Sequence, residues 1–231
     1  MNNMRTLIVG DLHGDWSKLN SLITQKKADI ILQTGDFGYW PKMEVTKPVL
    51  YGQQKKWRLK GIKRGDSSIY WCDGNHEEHP ILVQDGEIHE MYEGVYHGSR
   101  GSTLTLPDGR IVLFAGGASS IDEKLRTPGH DWFPEETIKN KDLDMMLKHD
   151  KIDIVISHTC PTSFIHRLKK GNFAKVNDPS CAALEYVLDK YKPSLWYFGH
   201  WHLNVTGFDK GCNWMCLDYP GHGGRWWTWI K

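Results

Sequence analysis

Residues that can bind metal ions recur at five places along the chain, and each place follows a short run of apolar residues. These runs are Leu7–Val9 before Asp11 and His13, Ile30–Leu32 before Asp36, Ile69–Trp71 before Asn75 and His76, Ile154–Ile156 before His158, and Leu195–Phe198 before His200 and His202. Carboxylate, amide and imidazole groups are metal ligands. Glycines beside them let the backbone turn sharply and approach an ion closely. One Asp-x-His pair is common in ordinary turns, but five such places in order indicate a metal site.

The spacing of these ligands indicates more than one ion. On extended backbone, residues i and i+2 point to the same side, so Asp11 can act with His13, and His200 with His202. A single tetrahedral ion needs four ligands. The sequence offers seven candidates, namely Asp11, His13, Asp36, Asn75, His158, His200 and His202. This excess predicts two ions that share a bridging carboxylate.

The elements that position these residues alternate between strand and helix patterns. Apolar spacing typical of a helix occurs at Trp16, Leu19, Leu22 and Ile23, and again at Ile138, Leu143, Met146 and Leu147 after Pro134. Such alternation predicts an α/β protein with a buried sheet. In these folds ligands collect beyond the carboxyl ends of the strands, so the five polar segments should meet in space.

Further strands are predicted in the middle and at the end of the chain. Residues Thr103 to Ala115 have the pattern of a hairpin, with Pro107-Asp108-Gly109 as its turn. Residues 204–230 also alternate strand patterns with turn residues, which favours two packed sheets with helices outside. The tryptophans at 226, 227 and 229 predict a terminal strand with both faces covered.

Composition excludes several classes of protein. The chain has 231 residues, and 29 Lys and Arg against 28 Asp and Glu give a net charge of +1, so no global field directs it to nucleic acid or to a membrane. Its longest apolar stretch, residues 111–118, is too short to span a bilayer. No signal peptide is evident, and the five cysteines are scattered. We expect a single cytoplasmic domain over residues 1–231 with reduced thiols.

The ordered polar segments resemble the signature of the calcineurin-like metallophosphoesterases. That signature runs Asp-x-His, Gly-Asp, Gly-Asn-His-Asp/Glu, His and Gly-His-x-His. Here it reads Gly10-Asp11-Leu12-His13, Gly35-Asp36, Gly74-Asn75-His76-Glu77, Ser157-His158 and Gly199-His200-Trp201-His202. The resemblance spans residues 10 to 202, and the sequence is most similar in pattern to the small bacterial and phage-type members of the family. It implies a four-layer α-β-β-α sandwich of two mixed sheets with helices outside.

The resemblance also implies a role for each residue. It assigns one metal to Asp11, His13 and His202, the other metal to Asn75, His158 and His200, and the bridging position to Asp36. His76 would contact the phosphate and protonate the leaving oxygen. A hydroxide bridging the ions would be the nucleophile, since bound water ionises near neutral pH. The mixed nitrogen and oxygen ligands suit Mn, Fe, Co, Ni or Zn as divalent or trivalent ions.

We therefore expect a dinuclear metal-dependent phosphoesterase that hydrolyses phosphate mono- or diesters, with a small phosphate ester or a nucleotide as substrate. A nuclease or cyclic-nucleotide phosphodiesterase is the enzymatic alternative, since the same metals and acid serve both ester types. An interaction scaffold with this fold is the non-enzymatic alternative.

Two departures from the family signature bear on which substrate is hydrolysed. The segment after Asp36 lacks the arginine typical of protein phosphatases, and Glu77 replaces the commoner aspartate.

Three further features are candidates for substrate contacts. The glycine-rich connection at residues 116–134 is long enough to be a wall of the active site, and Arg126 within it is a candidate phosphate contact. His222, in a glycine-rich segment near the end of the chain, is a second candidate. Six basic residues lie within 55–64. This run is typical of a solvated helix face, and it is also where a nucleic acid backbone would bind.

Overall fold

The computed structural model describes residues 4–41, 59–168 and 177–231. Its strands are β1 Thr6–Val9, β2 Ile30–Gln33, β3 Ser68–Trp71, β4 Ile88–Tyr92, β5 Val95–Gly98, β6 Thr103–Thr105, β7 Ile111–Ala115, β8 Ile154–Ser157, β9 Leu195–Phe198, β10 Val205–Asp209, β11 Cys212–Cys216 and β12 Trp227–Trp229. Its α-helices are α1 Trp16–Lys26, α2 Asn140–Met146, α3 Thr162–Ile165 and α4 Pro179–Tyr191.

The strands form two six-stranded sheets of the same design. The first sheet has the order β12-β1-β2-β3-β5-β4, and the second has the order β10-β11-β9-β8-β7-β6. In each sheet the four central strands are parallel and the two edge strands are antiparallel to their neighbours. Both sheets are therefore mixed, as the resemblance implied.

Side chains that alternate along the strands build the layers. On β1, Leu7 and Val9 pack with α1, whereas Ile8 between them belongs to a separate cluster that includes Phe114 and Ile156 of the second sheet. The opposite face of the second sheet packs against α3 and α4. Because successive strand residues point to opposite faces, strands buried on both faces are continuously apolar. The order of layers is α1, first sheet, second sheet, and α2 to α4, which confirms the predicted four-layer sandwich.

The predicted strands and helices agree with the structure except in two places. The five apolar runs that precede the ligands lie in strands, residues 103–115 form the β6–β7 hairpin, and α1 covers the first helical pattern. The second helical pattern is only partly helical, because a 3-10 turn at Pro134–Glu136 precedes α2 and leaves Ile138 outside it. The terminal strand β12 lies at a sheet edge, and Trp229 is 36% exposed, so the prediction that both faces are covered is wrong. Within the described ranges, no helix is both long and apolar enough to cross a membrane.

A buried arginine fixes the connection between β7 and α2 against the first sheet. Arg100, which follows β5 and is 1% exposed, donates twice to Asp73, once to Asp142 of α2, and to three carbonyl groups of residues 135–137. Burial alone would raise the pKa of Asp73, but Arg100 holds it well below its ordinary value. Since Asp73 lies two residues before Asn75, this network ties the connection to the segment that carries the candidate ligand Asn75.

We predict that Arg100→Met destabilises the protein by about 3–5 kcal/mol, because it leaves two buried carboxylates without their partner. The matched control is Arg110→Met, which breaks the pair with Asp108 on the β6–β7 hairpin, where both side chains are partly exposed. That pair should contribute less than about 1 kcal/mol. Urea unfolding at constant m-value measures both changes. Equal shifts in the two midpoints would contradict the structural role of Arg100.

Candidate metal centre

The seven candidate ligands and His76 come together at one edge of the sandwich. Asp11, Asp36 and Asn75 follow β1, β2 and β3 of the first sheet, whereas His158, His200 and His202 follow β8 and β9 of the second. All six lie beyond the carboxyl ends of parallel strands, and His13 follows Asp11 in the loop before α1. The edges of two different sheets therefore supply one site, as expected for ligands at the carboxyl ends of an α/β fold.

One group of donor atoms comprises Asp11, His13 and His202. The Nε2 atom of His202 lies 3.3 Å from Oδ2 of Asp11 and 3.4 Å from Nε2 of His13. Nδ1 of His13 lies 3.7 Å from Oδ2 of Asp36. The side chains of His13 and His202 are 13% and 32% exposed, so this group is open to solvent.

A second group comprises Asn75, His158 and His200. Oδ1 of Asn75 lies 3.1 Å from Nε2 of His158 and 3.0 Å from Nδ1 of His200. Nε2 of His158 lies 3.2 Å from Oδ1 of Asp36. These side chains are buried, which places this group deeper than the first.

Asp36 lies between the two groups and directs one carboxylate oxygen toward each. Oδ1 faces Nε2 of His158 in the deep group, and Oδ2 lies 3.7 Å from Nδ1 of His13, whose other ring nitrogen, Nε2, faces His202 of the open group. Oδ1 also accepts a hydrogen bond from the backbone N–H of His76 at 2.8 Å, which holds the carboxylate in place. The structure thus brings the predicted bridging residue to a position from which it can serve both groups.

The donor sets fit metal ions. Donors that share one ion at about 2.0–2.2 Å each must lie roughly 3 Å or more apart, and the separations within each group match this. The two buried carboxylates, Asp11 and Asp36, also need positive charge. Burial lowers the pKa of His158, but Asp36 and Asp11 outweigh it and raise that pKa to about 10. In the protein alone, a proton on His158 therefore supplies charge that a cation would otherwise provide.

Backbone strain is concentrated at this site. His13, Asp36, His200 and His202 have φ angles of 46°, 51°, 63° and 49°, in the left-handed region that favours glycine. The other non-glycine residues with positive φ in the described chain, Lys27, Lys192 and Lys210, cap helices or turn a hairpin. The extended backbone expected for the two His pairs is therefore wrong. Left-handed turns direct His200 to the deep group and His202 to the open one, and such strain is typical of functional sites.

Hydrogen bonds from neighbouring groups orient the ligands. Nδ1–H of His158 donates to the carbonyl of Thr34 at 2.9 Å, which leaves Nε2 directed at the site. Nδ2 of Asn75 donates to Oγ of Ser120 at 3.2 Å, which directs its Oδ1 to the two histidines. The Ser120 hydroxyl in turn donates to the buried carboxylate of Glu136 at 2.8 Å. Such partners fix the ligand orientation and commonly affect metal affinity.

Arg126, predicted as a substrate contact, lies beside His76. Its guanidinium is 2.7 Å from Nε2 of His76, 3.0 Å from the carbonyl of Asn75, and paired with Asp122. Because arginine only donates, Nε2 of His76 accepts this bond and His76 is neutral here. Burial lowers the pKa of His76, and Arg126 and His13 lower it further, whereas Asp36 opposes the shift.

Other residues differ from the sequence analysis. Glu77 accepts hydrogen bonds from the backbone N–H groups of Gly38 and Gly74, so it joins two ligand loops. The sequence analysis did not single out Ser120 or Glu136: Ser120 lies within the predicted 116–134 connection, and Glu136 lies just after it. His222 lies beside the open group, with its ring 6.5 Å from that of His202. Lys55, Lys56 and Arg58 of the basic run lie outside the described residues.

We predict that Ser120→Ala lowers the affinity for one of the two ions by about 10- to 100-fold, because Asn75 loses the bond that orients it. Ser119→Ala is the matched control: its hydroxyl donates to Asp178 and not to Asn75. Calorimetric titration of the metal-free variants with Mn²⁺ gives both affinities. The orienting role is wrong if the two variants bind the metal equally well.

Comparisons with known proteins identify the family to which the chain belongs. A family model described as calcineurin-like phosphoesterase matches residues 4–204. No curated protein matches the sequence. Among solved structures, GAP50, described as the anchor in the inner membrane complex of Plasmodium, is similar with a TM-score of 0.51 and 12% identity, over 92% of this chain and 70% of that one.

Two other solved structures are similar at lower scores. A predicted phosphoesterase from Streptococcus pneumoniae has a TM-score of 0.41 and 12% identity over 100% of this chain and 85% of its own. Phosphopantetheinyl hydrolase from Mycobacterium tuberculosis has a TM-score of 0.45 and 10% identity over 98% and 96%. The GAP50 likeness supports the fold alone. The family model matches most of the sequence, and the chain belongs to the calcineurin-like phosphoesterase family.

Proposed function

We propose that this protein hydrolyses small phosphate esters with two metal ions bound at the centre described above. The observation that carries the proposal is the position of Asp36, which directs one oxygen to each donor group. Asp11, His13 and His202 would hold one ion, and Asn75, His158 and His200 the other, with Asp36 shared. When bound, such ions supply positive charge for the phosphate and the Lewis acidity that makes water a nucleophile near neutral pH.

The substrate approaches from the open group. His13, His76 and His202 have side chains that are 13%, 22% and 32% exposed, whereas His158 is fully buried. Arg126 lies beside His76 with its side chain 3% exposed, and its guanidinium would bind a phosphate oxygen only by leaving its bond to His76. Moving from His76 to the phosphate, Arg126 would release the imidazole. Once released, His76 would take up a proton from solvent and would be positioned to donate that proton to the leaving oxygen.

Two observations favour a small ester over nucleic acid. The net charge is +1, and one of the three basic residues in the described part of the run, Arg64, is already engaged by the protein. Arg64 donates to the carbonyl and carboxylate of Glu93 and to two further carbonyls, so its guanidinium is already engaged. A polyanion needs several unengaged basic side chains along one surface.

We predict that His76→Ala keeps both metals and loses about 10²- to 10⁴-fold in kcat on an alkyl phosphate, because the leaving alkoxide then lacks a proton donor. The loss should shrink on p-nitrophenyl phosphate, whose leaving group needs little protonation. Steady-state kinetics on both esters, with metal analysis of each preparation, measure the effect.

The control is His149→Ala, which removes a half-buried histidine bonded to the carbonyl of Gly101, outside the metal centre. An equal loss on both esters, or loss of one metal in His76→Ala, would contradict the acid role. Faster turnover of bis-p-nitrophenyl phosphate than of the monoester would favour the phosphodiesterase alternative. No hydrolysis by metal-loaded wild-type protein would favour the scaffold.

A further inference from the structure

The segment between β11 and β12 crosses from the second sheet to the first, directly beside the metal centre. At its start, Leu217 N–H donates to the carbonyl of Phe198, which ends β9. At its end, the carbonyl of Trp226 accepts from the N–H of Gly10, which precedes the ligand Asp11. Residues 217–226 are therefore held at both ends by the two strands that carry ligands.

Two aromatic rings on this segment are stacked next to the open donor group. The rings of Tyr219 and His222 lie 4.9 Å apart with an angle of 10° between their planes. Tyr219 contacts the ring of His202 edge-on at 4.5 Å and that of His13 at 6.1 Å. The stack therefore begins at two candidate ligands and extends away from them.

A buried carboxylate holds this stack in place. Asp218 is 2% exposed and accepts from the backbone N–H of Tyr219 at 2.8 Å, from Nδ1 of His222 at 2.9 Å, and from the N–H of Gly224 at 3.1 Å. A Cβ at Gly224 would lie 2.3 Å from Oδ2 of Asp218, so only glycine allows this approach. The rings are thus fixed in orientation before any ligand binds, which reduces the entropy lost on binding.

The outer ring is exposed even though it is firmly anchored. The side chain of His222 is 49% exposed. A ring that served only to support His202 would be covered, as Tyr219 partly is. An anchored, parallel and open aromatic face beside a phosphate site is instead suited to stacking with a flat heteroaromatic group.

We infer that the Tyr219–His222 stack binds the base of a nucleotide whose phosphate lies at the metal centre. The inference rests on the proposed function and narrows its substrate class to nucleoside phosphates. Stacking accepts any base, because every base has an aromatic face, so the platform predicts a preference for nucleotides without strict choice of base. The ring face of His222 would contact the base, and Asp218 would hold that ring in its orientation.

The test compares adenosine 5′-monophosphate with ribose 5-phosphate, which has the same phosphate and leaving alkoxide but no base. Wild-type protein should have a KM about 10-fold lower for the nucleotide, in line with the usual contribution of one base–aromatic stack. His222→Ala should abolish this ratio, and His222→Phe, which keeps a ring without the bond to Asp218, should retain most of it. The matched control is His89→Ala, because His89 is also exposed and paired with an aspartate four residues earlier, Asp85, but lies on β4 at the far edge of the first sheet.

A second readout does not depend on turnover. On addition of adenosine 5′-monophosphate, the imidazole carbon-bound protons of His222 should shift upfield in the NMR spectrum because of the ring current of the base, while those of His89 stay unchanged. Absence of this shift, or a nucleotide preference that survives in His222→Ala, would overturn the inference. A ratio lost in both His222→Ala and His222→Phe would also overturn it, since the bond to Asp218 and not the ring face would then matter.

These outcomes separate the two proposals. If wild-type protein hydrolyses both esters equally, the stacking platform is wrong and the phosphoesterase proposal stands. If it hydrolyses neither, the phosphoesterase proposal is wrong, and the NMR shift alone decides whether a base stacks there. A short oligoadenylate carries the same base. If the protein bound it more tightly than adenosine 5′-monophosphate, the assignment to a small nucleotide would be overturned.

Discussion

This structure depends on two buried carboxylates that have no lysine or arginine beside them in the described chain. Asp11 and Asp36 are 0% and 2% exposed, and within the described chain only histidines lie within ion-pair distance of them. Asp73, equally buried and only two residues from Asn75, is neutralised by Arg100. Asp73 is thus paired with an arginine, which is always charged. The carboxylates of the site are paired with histidines, which are charged only when protonated. Burying such charge is costly unless a cation compensates it, and bound metal ions would do so.

The four-layer fold meets this constraint by joining two sheets at one edge. Carboxylate and amide ligands follow strands of the first sheet, and most of the imidazoles follow strands of the second. Neither sheet alone carries either complete donor group, so the site exists only when the sheets pack. The left-handed turns at Asp36, His200 and His202 then direct each of these side chains toward its donor group. The cost of these turns is borne by a core in which β1, β2, β8 and β9 are largely apolar and buried on both faces.

Sequence reasoning predicted the parts of this arrangement that depend on local pattern. Apolar runs such as Ile154–Ile156 are long enough to identify strands, and the rule that ligands collect at their carboxyl ends brings Asp36 and His158 together. What failed was the expectation of extended backbone at the Asp-x-His and His-x-His pairs, because His13 and His202 have left-handed φ angles. Ser120, Glu136 and Tyr219 could not be found, because each acts through a tertiary contact and none has a characteristic spacing. His222 was a candidate from its glycine-rich segment, but its stacking on Tyr219 could not be found for the same reason. The shortened helix α2 shows the same limit, since anchoring of residues 135–137 by Arg100 overrides the helical pattern there.

The central claim is that Asp36 joins two ions in one centre, and electron paramagnetic resonance of the Mn²⁺-loaded protein tests it most directly. Metal analysis should give two ions per chain at saturation, with the spectrum of a magnetically coupled pair. Asp36→Asn, which keeps the side-chain shape and removes the charge, should abolish the coupling and weaken both ions. A single ion per chain, or two ions with the spectrum of isolated Mn²⁺ in the wild-type protein, would contradict the account.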